Sequence, residues 1–189
     1  TLIHTRIHKK PCVIGVQGIQ GSGKSTLVSK LCARNPTWRC ASIDDFYLPY
    51  KDLLKKATQD PLWSVRGNPG THEVALIIEV LDAFLHSQKS ERPIYDKRIY
   101  AGRGDRVGYD EVLPGDVLLL EGWCIGFQPT TVSSQSLQKI NDSLKEYVPI
   151  WIRMETIIVL KPPCLQIVYA WRQQSEQKMS QQDVEKFVD

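Results

Sequence analysis

The 189-residue chain has little of what would place it in a membrane, an oxidising compartment or on nucleic acid. No apolar run approaches the length needed to cross a bilayer. Its five cysteines, Cys12, Cys32, Cys40, Cys124 and Cys164, are scattered, odd in number and form no C-x-x-C pair. That excludes the common zinc and dithiol motifs and suits reduced thiols in the cytoplasm. A formal net charge of +3 is compatible with small anionic substrates and too weak to indicate nucleic acid. There are no repeats and no low-complexity tracts. His4 and His8 could align on a helix, but a terminal pair of this kind reads as an exposed end rather than a metal site. The opening Thr1–Arg6 segment is not a signal peptide, and the missing initiator methionine is compatible with a removed targeting segment. Length and a hydrophobic fraction of 42% fit a single domain over 1–189 with a sizeable core.

What is present begins with Gly18-Ile19-Gln20-Gly21-Ser22-Gly23-Lys24-Ser25, followed by Thr26. This is G-x-x-x-x-G-K-[ST], a phosphate-binding loop, and each required residue has its own physical task. The glycines let successive backbone N–H groups face phosphate oxygens. Lys24 brings a full positive charge to the β- and γ-phosphates, and Ser25 offers a hydroxyl to Mg²⁺. The flanks agree. Cys12–Gln17 is a short β-branched run that reads as a buried strand, and Leu27, Val28 and Leu31 share one helical face before Asn35-Pro36 ends it.

Further along, Arg39–Ile43 reads as a second strand running into Asp44-Asp45-Phe46-Tyr47. Residues 51–70 are polar and punctuated by Pro and Gly, with room for a short helix. Thr71 suits an N-cap, with Val74, Ile77, Ile78, Leu81 and Phe84 at helical spacing behind it. Residues 92–115 read as irregular. Val117–Leu120 is a buried strand ending in Glu121, Leu137, Ile140, Leu144 and Val148 mark a helix, and Thr156–Leu160 is the fourth strand. A lid-like helical segment is expected at about 162–182. Strands alternating with helices imply an α/β fold, a parallel sheet flanked by helices on both faces. Ligands in such folds sit at the carboxyl ends of the strands, so the glycine loop, Asp44 and Glu121 should converge there.

The chemistry of that convergence is phosphoryl transfer. Glu121 is the candidate partner of Ser25 in holding Mg²⁺; the plain alternative is a charged residue that merely ends a strand. Asp44 is the candidate base, with a turn cap as the alternative, and strand alternation allows only one of Asp44 and Asp45 to face the pocket. Arg66-Gly67-Asn68-Pro69-Gly70-Thr71-His72 combines a cation, a rigid turn and a helix start, which suits a carboxylate or a second phosphate. Tyr95-Asp96-Lys97 and Gly102-Arg103-Gly104-Asp105-Arg106 are similar cases. Arg172 could reach over the transferring phosphate or be solvated. Asp105-Arg106-Val107-Gly108 has the letters of a GTPase D-x-x-G, but it follows no apolar strand and no N-K-x-D guanine reader is present.

Together these elements, with Glu121-Gly122-Trp123, Gly126-Phe127-Gln128-Pro129 and Val168-Tyr169-Ala170-Trp171-Arg172, resemble the D-glycerate 3-kinase-like P-loop kinases of plants and fungi. That group is related to uridine kinase, phosphoribulokinase and bacterial pantothenate kinase. The resemblance runs from about residue 12 to the end and implies the P-loop NTPase fold. It implies ATP bound at Gly18, Gln20, Gly21, Ser22, Gly23, Lys24, Ser25 and Thr26, and Mg²⁺ held by Ser25 and Glu121. It selects Asp44 as the base, makes Arg172 a lid arginine, and puts Arg66, His72 and Tyr95 on the acceptor side. Three departures stand out: Glu73 where the family has Asp, Ile19 where Pro is common, and no counterpart to the Arg-Tyr-x-Pro segment and further strand that follow in the family. A sheet without that last strand is therefore expected.

The expected activity is transfer of the γ-phosphoryl group of ATP to the hydroxyl of a small, anionic acceptor, D-glycerate first, without nucleic-acid or membrane partners. Catalysis would fall to Lys24, Asp44 and Arg172. The competing readings are an ATP-binding protein without transferase activity, and a nucleoside or pantothenate-type kinase in which Phe46, Tyr47 or Trp63 stacks on a base. Monomer and homodimer are equally open.

Overall fold

A computed structural model describes residues 9–164 and 166–169. Strands β1 (Cys12–Gly18), β2 (Trp38–Ser42), β5 (Val117–Gly122) and β6 (Met154–Leu160) form a parallel sheet in the order β2-β5-β1-β6. The two central strands, CVIGVQG and VLLLEG, are covered on both faces, which is why they read as unbroken apolar runs rather than alternations.

Alternate side chains of those runs feed two separate cores. Val13, Leu118 and Leu120 point to one face and pack with Ile77, Val80, Leu81 and Phe84 of α3 (Val74–Leu85), and with Ile150 and Trp151 of α6 (Val148–Ile152). Ile14, Val16, Val117 and Leu119 point to the other and pack with Val28 of α1 (Lys24–Arg34). Helices thus cover both faces, as the alternating pattern requires. Further helices among the described residues are α2 (Tyr50–Gln59), the single turn α4 (Ile99–Gly102) and α5 (Gln135–Leu144).

Two expectations need correcting. Residues 92–115 are not irregular: β3 (Ser90–Asp96) and β4 (Asp105–Val112) form an antiparallel hairpin apart from the main sheet. Its two strands are both edges, so they tolerate Pro93 and carry many polar residues, which hides the strand period. Thr71 does not cap α3, whose cap position is Glu73. Its hydroxyl instead donates to the Asn68 carbonyl (2.7 Å) and accepts from the Gly67 N–H (3.1 Å), closing the Gly-Asn-Pro-Gly turn.

The end of β5 is packed too closely for any side chain at Gly122, where an added Cβ would overlap Ile43 Cγ2 and lie 3.2 Å from Ile43 Cβ. Ile43 is fully buried and cannot yield. Gly122→Ala is expected to lower stability by about 1–3 kcal/mol, read as a lower urea midpoint at unchanged slope.

Candidate active site

A cavity of about 830 Å³ opens at the carboxyl ends of the parallel strands. The loop from β1 to α1 forms one wall, with Ile19, Gln20, Gly21, Lys24 and Ser25 on its surface. Gly21 (φ 81°) and Gly23 (φ 82°) both take left-handed backbone, which lets the loop turn sharply into α1. Gly18 is buried under the loop; a Cβ there would lie 2.7 Å from Ser22 Oγ. Ser22, Gly23 and Thr26 belong to the same wall by sequence but do not line the cavity. The first amides of α1 have no partner within the helix, so its positive end is directed at whatever the loop holds.

Lys24 rests with Nζ 3.1 Å from the Ile19 carbonyl oxygen. Burial lowers its pKa, against the opposing pull of the Glu121 and Asp44 carboxylates. Ser25 donates through Oγ to Glu121 Oε1 at 2.8 Å. Glu121 is 8% exposed and lies one residue before the end of β5, the strand between β1 and β2, so the sheet itself holds the carboxylate beside the glycine loop.

The chain leaves β2 at Ser42 into a 3-10 turn, Ile43–Phe46, and this separates the two aspartates. Asp45 closes a capping box, its Oδ2 accepting from the Ser42 N–H (3.0 Å), and pairs with Arg92 of β3. Asp44 faces the cavity. Its Oδ2 accepts from Lys97 Nζ (2.6 Å) and its Oδ1 from the Tyr47 hydroxyl (2.9 Å). Burial alone would raise the Asp44 carboxyl, but the Lys97 charge and these two hydrogen bonds outweigh it and hold it below the usual carboxylate range. Lys97, from the turn joining β3 to β4, was not singled out from sequence; its signal was its place in Tyr95-Asp96-Lys97.

No protein-family model matches the chain. A Schizosaccharomyces pombe protein described as the uncharacterized kinase mug58 is 32% identical over 215 residues, covering 95% of this chain and 78% of that protein. The solved structure of D-glycerate 3-kinase from Cryptococcus neoformans var. grubii superposes with a TM-score of 0.82 at 30% identity, covering 92% of this chain and 71% of that one. This chain belongs to the D-glycerate 3-kinase-like family of P-loop kinases. The chloroplastic D-glycerate 3-kinase of Arabidopsis thaliana is 35% identical over 192 residues, which is 90% of this kinase and 42% of the plant protein's length.

The residues expected on the acceptor side of the kinase are distributed unevenly. Arg66 lines the cavity, but its guanidinium is turned onto the 97–104 turn, donating to the Gly102 carbonyl (2.6 Å) and to that of Arg103. Tyr95 does not line the cavity; its ring lies beside the Arg66 guanidinium (5.7 Å) and its hydroxyl donates to the Arg103 carbonyl (3.2 Å). His72 is a correction. It is buried, stacked on Tyr47 (centroids 4.4 Å apart), with Nδ1 2.7 Å from the Tyr147 hydroxyl, and it does not reach the cavity. Position 72 sits on a segment that runs antiparallel to Tyr47, and that pairing turns the imidazole inward. Asp105, the D of the GTPase-like letters, accepts from the Tyr50 N–H (2.9 Å) and so caps α2. Arg172 lies outside the described residues. Among the described residues no helix is long and apolar enough to cross a membrane.

Proposed function

We propose that the cavity is the active site of an ATP-dependent phosphotransferase acting on the hydroxyl of a small anionic acceptor, with D-glycerate as first choice. The observation that carries this reading is the placement of a glycine loop, a Ser25–Glu121 pair and a cavity-facing Asp44 around one space. The triphosphate lies along the loop from Gly18 to Thr26, with Lys24 leaving the Ile19 carbonyl for the β- and γ-phosphates. Each Asp44 oxygen keeps a lone pair beyond those used by Lys97 and Tyr47. An acceptor hydroxyl can therefore donate to the carboxylate and lose its proton there as its oxygen meets phosphorus. Tyr47 and Lys97 fix the direction of that carboxylate, and Arg172 remains the proposed lid cation.

The Ser25 hydroxyl and the Glu121 carboxylate are two hard oxygen donors side by side, a set that suits Mg²⁺ with phosphate oxygens and water completing the shell. Ser25 and Glu121 would hold the ion, which when bound offsets charge on the β- and γ-phosphates. Glu121→Gln is expected to raise the half-saturating magnesium concentration about 10- to 100-fold, measured as the magnesium dependence of nucleotide affinity.

The experiment for the whole reading is acceptor-dependent ADP release with D-glycerate, uridine and pantothenate in parallel. Stimulation by D-glycerate supports it. Stimulation by uridine alone transfers the acceptor site to a nucleoside, and ATP binding with no stimulated turnover by any acceptor would leave a nucleotide-binding protein without transferase activity.

A further inference from the structure

Four cationic residues line the cavity: Lys24, Arg66, Lys97 and Arg103. Three have work within the protein or with the phosphates. Lys24 belongs to the glycine loop, Lys97 sits on Asp44, and Arg66 is spent on backbone carbonyls. Among the described residues the Arg103 guanidinium has neither an ion-pair nor a hydrogen-bond partner.

The turn that carries Arg103 is strained and heavily braced. Tyr100 (φ 53°) and Ala101 (φ 54°) are left-handed without being glycine, a conformation that persists only where surroundings enforce it. Gly102 (φ 84°) and Gly104 (φ 77°) flank Arg103, and a Cβ on Gly104 would lie 2.5 Å from Tyr95 Cε1. The Tyr100 ring stacks on Tyr50 at 4.2 Å. The Arg103 carbonyl receives both the Arg66 guanidinium and the Tyr95 hydroxyl, and its N–H donates to the Tyr100 carbonyl (3.2 Å). These contacts hold the turn on both sides of Arg103, an exposed residue that lines the same cavity as Asp44 and carries a planar, permanently charged fork.

We infer that Arg103 binds the acceptor's carboxylate, so that the cavity selects a small hydroxy acid over a neutral polyol, with Arg66 and Tyr95 as the residues that position it. The carboxylate meets the guanidinium in a two-pronged contact while a hydroxyl of the same molecule reaches Asp44. This rests on the phosphotransfer reading for its kinetic expression but not for the binding step itself.

The test pairs D-glycerate with glycerol, which differ at the carboxylate. Arg103→Leu should raise the KM for D-glycerate about 10- to 100-fold, with a smaller change in kcat, and should shift the response to glycerol and the ATP affinity by less than about 3-fold. Arg103→Lys should recover part of the loss. Calorimetric titration of D-glycerate, glycolate and lactate into the wild type and Arg103→Leu reads binding without turnover. Because the guanidinium has no partner among the described residues, the variant should keep its thermal midpoint. Equal carboxylate affinity in the wild type and Arg103→Leu overturns the inference, as does failure of the wild type to bind any of the three acids. Loss of ATP affinity in the variant overturns it too, in favour of a phosphate contact. Carboxylate binding that depends on Arg103 in a protein without turnover would keep the inference and defeat the phosphotransfer reading.

Discussion

Asp44→Asn should lower kcat by about 10³-fold while changing ATP affinity less than about 3-fold. The substitution is nearly isosteric. The amide oxygen can still accept from the Tyr47 hydroxyl, so the 3-10 turn and its capping box survive, and Asp45 is untouched. What disappears is the negative charge beside Lys97 and the lone pair that would take the acceptor's proton. In the free kinase the Lys97 charge and two hydrogen bonds keep Asp44 ionised below the normal carboxylate range, so the wild-type kcat/KM should stay flat with falling pH until below that range. Lys97→Met removes the main influence opposing burial and should move the acid limb upward. A fall of less than tenfold for Asp44→Asn would assign Asp44 to scaffolding and require another base.

The glycine loop, β1, β5 and Glu121 were legible because central parallel strands bury both faces and so write themselves as continuous apolar runs, with the candidate site residues at their ends. The choice between Asp44 and Asp45 was not legible by strand alternation, because the chain has already left the strand at Ser42. A signal was present, though: Ser42-Ile43-Asp44-Asp45 is a capping box, and a capping box consumes its fourth residue. The β3–β4 hairpin escaped for the opposite reason. In Ser90–Asp96 only Pro93 is buried, so the strand carries neither an alternating nor a continuous apolar pattern. Arg66 and Tyr95, expected on the acceptor side, are turned onto the 97–104 turn. Their partners, the carbonyls of Gly102 and Arg103, are backbone atoms, and side-chain identity cannot announce a backbone acceptor.

His72 is where sequence reasoning failed most, and its burial has a measurable consequence. Nothing near His72 in the chain predicts an imidazole enclosed between Tyr47 and Tyr147; the second lies 75 residues away. Enclosure pushes its pKa from 6.5 down to about 4, because burial penalises the charged ring. Between those values the unfolded chain binds a proton that the folded chain refuses. Stability from this residue is therefore complete above pH 6.5 and is lost as pH falls toward 4, at about 1.4 kcal/mol per pH unit and roughly 3 kcal/mol in all. The carboxylates held low by ion pairs, Asp44, Asp60, Asp82, Asp96, Asp116 and Asp142, act below their ordinary value of 3.8, outside this window, whereas Asp45, pushed up by burial, takes up its proton in the fold above 3.8 and acts with the opposite sign whether or not His72 is present. His72→Gln should keep a polar group near Tyr147, cost about 1–3 kcal/mol at pH 7, and flatten the urea-unfolding free energy between pH 6.5 and 4. An unchanged slope in His72→Gln would mean that the ring takes its proton within the fold and that another group sets the acid limit.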